Sequence, residues 1–409
     1  MNDSWPAEVQ FTHQIGDNMP HRPSPIAAAL AATLCLPGAA LAINGAQLGG
    51  NSVRNASMGG ASIALPLDAN AAANNPAGMA YVPTSATLDL QVFRGHSTAD
   101  YVLPGNRLEN RQTLAGPQGG INWQLSSGLA VGFSVAGGGS GSDYGQAALP
   151  VPGAGKASST LRVAEFVPTV AWKPAADLAI GLGLTLARQQ FKADGVIVPA
   201  PVPGGLLPLQ GHGSQTSTGA GWRVGALWKP VDELTVGANY KSRTRMSKLD
   251  GYDTDLLAYS AGKLDVPEQY GVGVAWRLSP GVTIAADWLR ILWGDLKVMQ
   301  DPNGFGWRNQ PVFRIGASWM LDKRLTLRAG FSRNHGQIDG SRTAQNLLVP
   351  AIHDKAVTAG LSWALDPKSE LSLGYELNPR TTLTGTGSST GTDLSSKVQM
   401  FMVGWQQRF

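Results

Sequence analysis

The chain has 409 residues, 43% of them hydrophobic and only 15% charged, with 51 glycines, 12 tryptophans, one cysteine and a formal net charge of +4. A mean hydropathy of −0.07 is too polar for a bundle of membrane helices, and so little charge is too sparse for an ordinary soluble surface. The 32 basic residues behind the pI of 9.1 form no basic run and no stacking motif, so they point to a basic lumen or rim and not to nucleic acid.

The amino terminus carries an address. His21 and Arg22 precede an apolar run from Ile26 to Leu36, followed by Pro37-Gly38 and by Ala40-Leu41-Ala42, the small residues of a secretory cleavage site. Residues 1–42 are therefore expected to be a signal peptide cut after Ala42. Asp3, Glu8 and Asp17 are out of place before its basic region and put the translation start at Met19. Cys35 falls inside the signal, which leaves the mature chain without a thiol in an oxidising compartment. Leu34 before it, where lipidation wants a small residue, argues against a lipid anchor.

Residues 43–83 show no strand alternation and are rich in alanine and glycine, too apolar for a free tail. Small residues allow close packing in a narrow tube, and Pro76 fixes its own torsion while biasing Asn75 toward an extended backbone. A plug and a solvated linker both fit this composition.

From residue 84 onward the pattern repeats. Strand one is expected at about Ser85 to Arg94. Trp123, Trp172, Trp228, Trp276, Trp319 and Trp363 each end an apolar-alternating run just before a short turn, and Trp405 does so near the chain end. Between turns, Leu178, Ile180, Leu182, Leu184 and Leu186 alternate with Ala179, Gly181, Gly183, Thr185 and Ala187. A soluble sandwich or propeller would turn its polar face outward. Here wide apolar side chains share one face and small or polar ones the other, as required when the outside is lipid. One indole per descending strand reads as half of an aromatic girdle. Six turns joining strand pairs, with one strand before and one after, predict an all-β, fourteen-stranded antiparallel transmembrane barrel, the last strand running from about Lys397 to Phe409. Short turns belong on the periplasmic side, so both termini are expected there, in the outer membrane of a bacterium.

No GxSxG elbow, HExxH helix, paired-cysteine zinc site or phosphate-cradling loop occurs, so no catalytic residue, metal or cofactor is expected. His96, His212, His335 and His353 map to loop ends. The long connections between strands three and four and between five and six are apolar where exposed loops should be polar. Val196, Ile197, Val198, Leu206, Leu207 and Leu209 are candidates for a groove that first meets a hydrophobic ligand, the alternative being loops that pack on each other. Alternation places Glu165, Arg223, Lys241, Asp287, Arg314, Arg328 and Glu376 in the lumen. Arg314 and Arg328, then Arg223 and Lys241, are candidates for holding a carboxylate, while pairing of these charges with one another or with the plug is the competing expectation.

The Met58-Gly59-Gly60-Ala61 stretch, the Asn75-Pro76-Ala77-Gly78 turn, the fourteen strands and the terminal Phe409 together resemble the FadL family of outer-membrane transporters of long-chain fatty acids, toluene and related compounds. The resemblance covers nearly the whole mature chain. It implies that residues 43–83 form a hatch, with 84–409 as the barrel, and that ligand leaves sideways through a gap at a kinked third strand. Strand three, expected from Leu129 to Ala136, runs into Gly137, Gly138 and Gly139, poor strand material that either bends inward or forms a flexible loop. The terminal phenylalanine looks like the signal read by the barrel-assembly machinery. The expected function is passive import of hydrophobic compounds, long-chain fatty acids first and aromatic hydrocarbons as the alternative, by a monomer in contact with outer-membrane lipid. A general porin or a structural barrel is the remaining reading.

Overall fold

The computed structural model describes residues 47, 49–199 and 205–409. The expected signal peptide, Met19 and Cys35 lie outside the described residues.

Fourteen strands form one closed antiparallel barrel: β1 Ser85–Asp100, β2 Arg107–Ser126, β3 Leu129–Asp143, β4 Ser158–Ala175, β5 Leu178–Asp194, β6 Gln215–Val231, β7 Leu234–Lys241, β8 Gln269–Ser279, β9 Val282–Ile291, β10 Gln310–Met320, β11 Leu325–Asn334, β12 Lys355–Ala364, β13 Ser369–Leu383 and β14 Asp393–Arg408. Each pairs with its sequence neighbours, and β1 pairs with β14 from Ser85↔Arg408 to Asp100↔Asp393, which closes the sheet on itself. No described helix is long and apolar enough to cross a membrane. The crossing falls to the strands.

The alternation read from the sequence is the alternation of the wall. Leu182, Val272, Phe313 and Ile315 point outward with 51–59% of their surface exposed, whereas Ala179, Thr185, Ala275 and Ala285 are buried inside. Trp123, Trp172, Trp228, Trp276, Trp319 and Trp363 are all exposed. Trp172 stands level with Leu129 and Ile180, and Trp276 with Leu234 and Ile284, so the indoles form one ring at the turn end of the barrel. The register shifts just after Trp123, Trp172, Trp228 and Trp276, bulges that tighten the twist where the wall turns back. In the turns themselves Asp322 accepts the N–H groups of Arg324 and Leu325 at 2.6 and 2.8 Å, and Asp366 those of Lys368 and Ser369 at 2.8 and 2.9 Å. These bonds hold both carboxyls below the usual carboxylate range.

Strands β1 and β14 are longer than expected, starting or ending well past the apolar belt. His96 is consequently a strand residue and not a loop end. The glycine run is strand and not a flexible loop: Gly137, Gly138 and Gly139 lie within β3, paired with β4 along its whole length. The long connections at the other end pack into an apolar cap containing Tyr252, Leu257, Trp293, Leu296, Trp307, Leu347 and Ile352.

His353, in the cap between β11 and β12, is 3% exposed, and burial pushes its imidazole down to about 4. The folded cap therefore holds the neutral ring while the unfolded chain takes a proton near 6.5. The contribution is complete above pH 6.5 and is lost as pH falls from about 6.5 to about 4, worth about 3 kcal/mol at the acid end. Amide exchange of the cap against pH is expected to accelerate over that window, and His353→Gln to flatten the dependence. A variant with the wild-type slope would show that another group titrates.

Candidate functional site: an apolar cavity above an inner segment

The segment from residue 49 to 84 lies inside the barrel and is tied to its wall strand by strand. A short helix, α1 Val53–Ala56, is capped by Ser52, whose Oγ accepts the Asn55 N–H at 3.2 Å. The chain then reverses at Gly59 and Gly60, both at positive φ (67° and 84°) where a side chain would be strained. Gly59 N–H donates to Thr358 Oγ1 at 2.9 Å, and the Ser62 and Ile63 N–H groups donate to Asp287 Oδ2 at 2.7 and 3.1 Å. Asn122 Nδ2 donates to Val82 O at 2.6 Å, and Arg54 pairs with Glu370 at 2.5 Å. Helix α2 Ala71–Asn74 leads directly into a 3-10 turn, Pro76–Ala80.

Asn75 joins the two. Its φ of −147° is extended, as the following proline requires. Its Oδ1 accepts the Ala77 N–H at 3.1 Å, and its Nδ2 donates to Ile63 O at 2.7 Å and to Ala226 O and Ala238 O at 3.3 Å. One buried amide thus links the inner segment to itself and to β6 and β7. The contact is close enough that a Cβ at Gly225 would collide with the Asn75 side chain. Pro76, Ala77 and Gly78 are buried, and Gly78 packs on Pro66.

Above the inner segment, lumen charges form a floor. Glu165 accepts from Arg223 at 2.8 Å and from Lys241 at 2.5 Å, with all three side chains at most 10% exposed. Arg223 also donates to Ala73 O at 2.9 Å and to Thr185 Oγ1 at 3.1 Å. Arg223 and Lys241 are thus held by Glu165, and Arg223 also by the inner segment. Arg314 and Arg328 are not side by side: Arg314 stands opposite Ser332 and Arg328 opposite Ser318, an offset of about 13 Å at strand rise. Arg314 donates to Gly60 O at 3.2 Å and lines the cavity above, leaving its buried Nε without a partner. Arg328 donates to Ser362 Oγ at 2.5 Å and does not line that cavity. The pair proposed from neighbouring strands is therefore separated by register. Asp287 is spent on the inner segment, and Glu376 accepts from Asn378 at 2.9 Å.

Over this floor lies a cavity of about 120 Å³ whose upper wall is apolar, with Leu257, Leu264, Trp293, Met299, Phe305 and Trp307 supplied by the loops. Trp293 and Trp307 meet edge to face, ring centres 4.9 Å apart, and Trp307 Nε1 donates to Asn346 Oδ1 at 2.6 Å. None of these six was singled out from the sequence. The signal available was a pair of tryptophans outside the girdle repeat. The groove expected from the other loop does not line this cavity. Ile197–Pro199 and Leu206–Pro208 pair antiparallel, with Val198 opposite Leu207. Val196 and Ile197 pack on the cap, Val196 O accepts the Leu209 N–H at 2.9 Å, and Leu206 and Leu207 are nearly half exposed.

The cavity also touches the wall at Ala136, Gly137 and Gly138. There the sheet changes. The β2–β3 ladder runs from Ser126↔Leu129 to Gly119↔Val135 and is not continued along Ala136–Asp143, although β2 stays paired with β1 and β3 with β4. Farther up the two strands meet again through Asn110 Oδ1, which accepts the Asp143 N–H at 2.9 Å. Pro117 on β2 has no N–H to offer a ladder, and the glycines opposite put no side chain into the seam.

The sequence matches the family model described as outer membrane protein transport protein (OMPP1/FadL/TodX) over residues 29–403. Among solved structures, a Pseudomonas aeruginosa FadL homologue superposes with a TM-score of 0.70 at 16% identity, covering 89% of this chain and 100% of its own. The Pseudomonas putida toluene transporter TodX gives 0.69 at 19%, covering 88% and 99%. The Ralstonia pickettii toluene transporter TbuX gives 0.64 at 16%, covering 88% and 99%. At these identities the likeness is one of fold. No curated protein matches the sequence. With the model matched over most of its length and the closed fourteen-stranded barrel in hand, the chain belongs to the OMPP1/FadL/TodX family of outer-membrane transport proteins.

Proposed function

We propose that the barrel imports small hydrophobic compounds without an energy source, monoaromatic hydrocarbons being the cargo that the lumen fits best. The observation that carries this reading is a single cavity, with an apolar roof of loop side chains over Ile63 and the charged floor, that reaches the wall where β3 lacks its β2 partner. Its size supports a one-ring cargo, since an engineered apolar cavity of roughly 150 Å³ takes up benzene. The engagement of Arg223 and Lys241 by Glu165 supports a neutral one. In this reading the short turns and both termini face the periplasm, and the inner segment is the hatch. The chain works as a monomer delivered by the barrel-assembly machinery. Ligand binding favours a hatch position that frees the way toward the β2–β3 seam.

A second reading is kept by one observation. Arg314 lines the cavity with an unpartnered Nε, a donor suited to the carboxylate of a long-chain fatty acid.

Uptake of labelled toluene and labelled oleate by cells lacking their own importer separates the two. Toluene entry is expected, with Asn75→Ala lowering barrel stability by about 1–3 kcal/mol by stranding buried carbonyls and abolishing the ligand dependence of the pathway. Oleate uptake that collapses in Arg314→Met would instead install the fatty acid. If neither enters while small polar solutes do, the barrel is a porin.

A further inference from the structure

The outward face of the barrel is apolar above the tryptophan ring and then turns cationic at one level. On β11 Arg333 follows Phe331, and on β12 Lys355 precedes Val357. On β13 Arg380 follows Leu377, and on β14 Lys397 lies above Phe401. On β1 Arg94 and His96 follow Val92, and on β2 Arg111 completes the series. Register makes these neighbours: Arg333 is opposite Lys355, Lys397 opposite His96, and His96 opposite Arg111. Arg380 reaches across to them, donating to Ser395 Oγ at 3.1 Å and to His96 Nδ1 at 3.0 Å. The row crosses six adjacent strands, about 24 Å at ordinary strand spacing.

Nothing in the transport reading uses these side chains, which face away from the lumen. Acid is paired with the row at its β2 end, where Glu109 lies 2.6 Å from Arg111 and 3.1 Å from His96 and Asp100 lies 3.4 Å from Arg107. Asp354, whose carboxylate accepts from Thr381 Oγ1 at 3.2 Å, and Asp393 on β14 lie beside the row without an ion pair to its cations. Among the described residues, Arg94, Arg333, Lys355 and Lys397 have no carboxylate within salt-bridge distance. The polar groove at the β13–β2 end is of mixed charge, Asp100, Glu109 and Asp393 lining it with Arg107, Arg111 and Arg380, so the cations of the row that no carboxylate offsets are Arg94, Arg333, Lys355 and Lys397. Arginine and lysine side chains in this arrangement suit phosphate, which accepts paired N–H bonds from a guanidinium.

We propose that this row docks a phosphate-bearing lipid of the leaflet at the loop end, a glycolipid of the lipid A kind with two phosphates on a saccharide head group. A soluble anion would use the cations alone. A lipid matches both parts of the surface, its phosphates at the row and its acyl chains along Phe331, Val357, Leu377, Phe401 and Val92 directly beneath. The turn end has a ring of amphipathic indoles with cations such as Arg324 and Lys368 in the turns beyond it, so the two leaflets meet different arrangements of apolar and cationic side chains. The assignment of the row to the outer leaflet rests on the orientation proposed above.

The test uses delipidated full-length barrel in mild detergent and native mass spectrometry, with three probes: bisphosphorylated lipid A, the same lipid without phosphates, and inorganic phosphate. The expected result is saturable binding of the bisphosphorylated lipid, weakened at least tenfold in the triple variant Arg333→Gln, Lys355→Gln, Lys397→Gln, with the dephosphorylated lipid at the weaker level in both proteins. Arg324→Gln with Lys368→Gln, at the turn end, should bind like the wild type, and heat-modifiability on gels checks that each variant is folded. Equal binding by the folded triple variant, equal loss in the turn-end control, or full displacement by millimolar inorganic phosphate would overturn the site. Because binding is read on purified protein, its failure leaves the import reading standing, and failure of import leaves this readout untouched.

Discussion

Replacing Glu165 with glutamine is expected to cost the barrel roughly 3–5 kcal/mol, the usual penalty for stranding buried charge. The carboxylate is shared by Arg223 and Lys241 at 2.8 and 2.5 Å, and no other carboxylate is within salt-bridge distance of either cation among the described residues. Glutamine keeps the shape and can accept one hydrogen bond, but it leaves two positive charges facing each other in the lumen. Urea unfolding in detergent micelles would read the loss. The double variant Glu165→Gln, Lys241→Met should recover part of it, because one cation is removed with its partner. The same change should make the lumen more anion-selective in planar bilayers. If the single variant unfolds like the wild type, the floor is water-filled and its cations need no partner, which would reopen Arg223 and Lys241 as ligand anchors.

Filling the cavity at Gly138 is expected to reduce hydrocarbon uptake at least tenfold while the barrel still folds. Gly138 is opposite Val163, lines the cavity and lies where β3 has lost its β2 neighbour, so an indole placed there projects into the proposed path and not into a packed core. Gly138→Trp is therefore a block and not a cavity loss. Val170→Trp, on the lipid face of β4 with 42% exposure, supplies the control and should transport normally. Initial uptake rates at matched surface expression decide the matter. Wild-type rates through Gly138→Trp would mean that cargo leaves elsewhere, most directly down past the inner segment.

What could be read in advance depended on whether the cause was local. The number of strands, their inward and outward faces and the tryptophan ring follow from period-two alternation, which each strand carries alone because lipid lies outside and small residues must line the lumen. Strand ends were misjudged where that contrast fades. Beyond Val92, β1 continues with Arg94, His96, Thr98 and Asp100 outward and Gly95, Ser97 and Ala99 inward, polar or small on both faces, so nothing local distinguishes strand from loop. The glycine run in β3 was ambiguous for the same reason. Its strand state is imposed by β4 through the ladder from Leu129↔Trp172 to Asp143↔Ser158, a partner whose reach the sequence does not display.

The turn at Asn75-Pro76 was legible as a turn, because proline constrains itself and the residue before it. That the asparagine amide spans to Ala226 and Ala238 was not, since those carbonyls are 151 and 163 residues away. Likewise, alternation puts Glu165, Arg223 and Lys241 in the lumen, but only barrel closure brings β4, β6 and β7 to one height and lets the carboxylate neutralise both cations. Arg314 and Arg328 show the converse: adjacent strands suggested a pair, and antiparallel register set them four residues apart. The sequence by itself thus determined the wall and its two faces, through steric and solvation preferences that each residue satisfies where it stands. Tertiary structure alone decided which lumen charges meet, which loops roof the cavity and where the ladder is interrupted, because those depend on contacts between segments far apart in the chain.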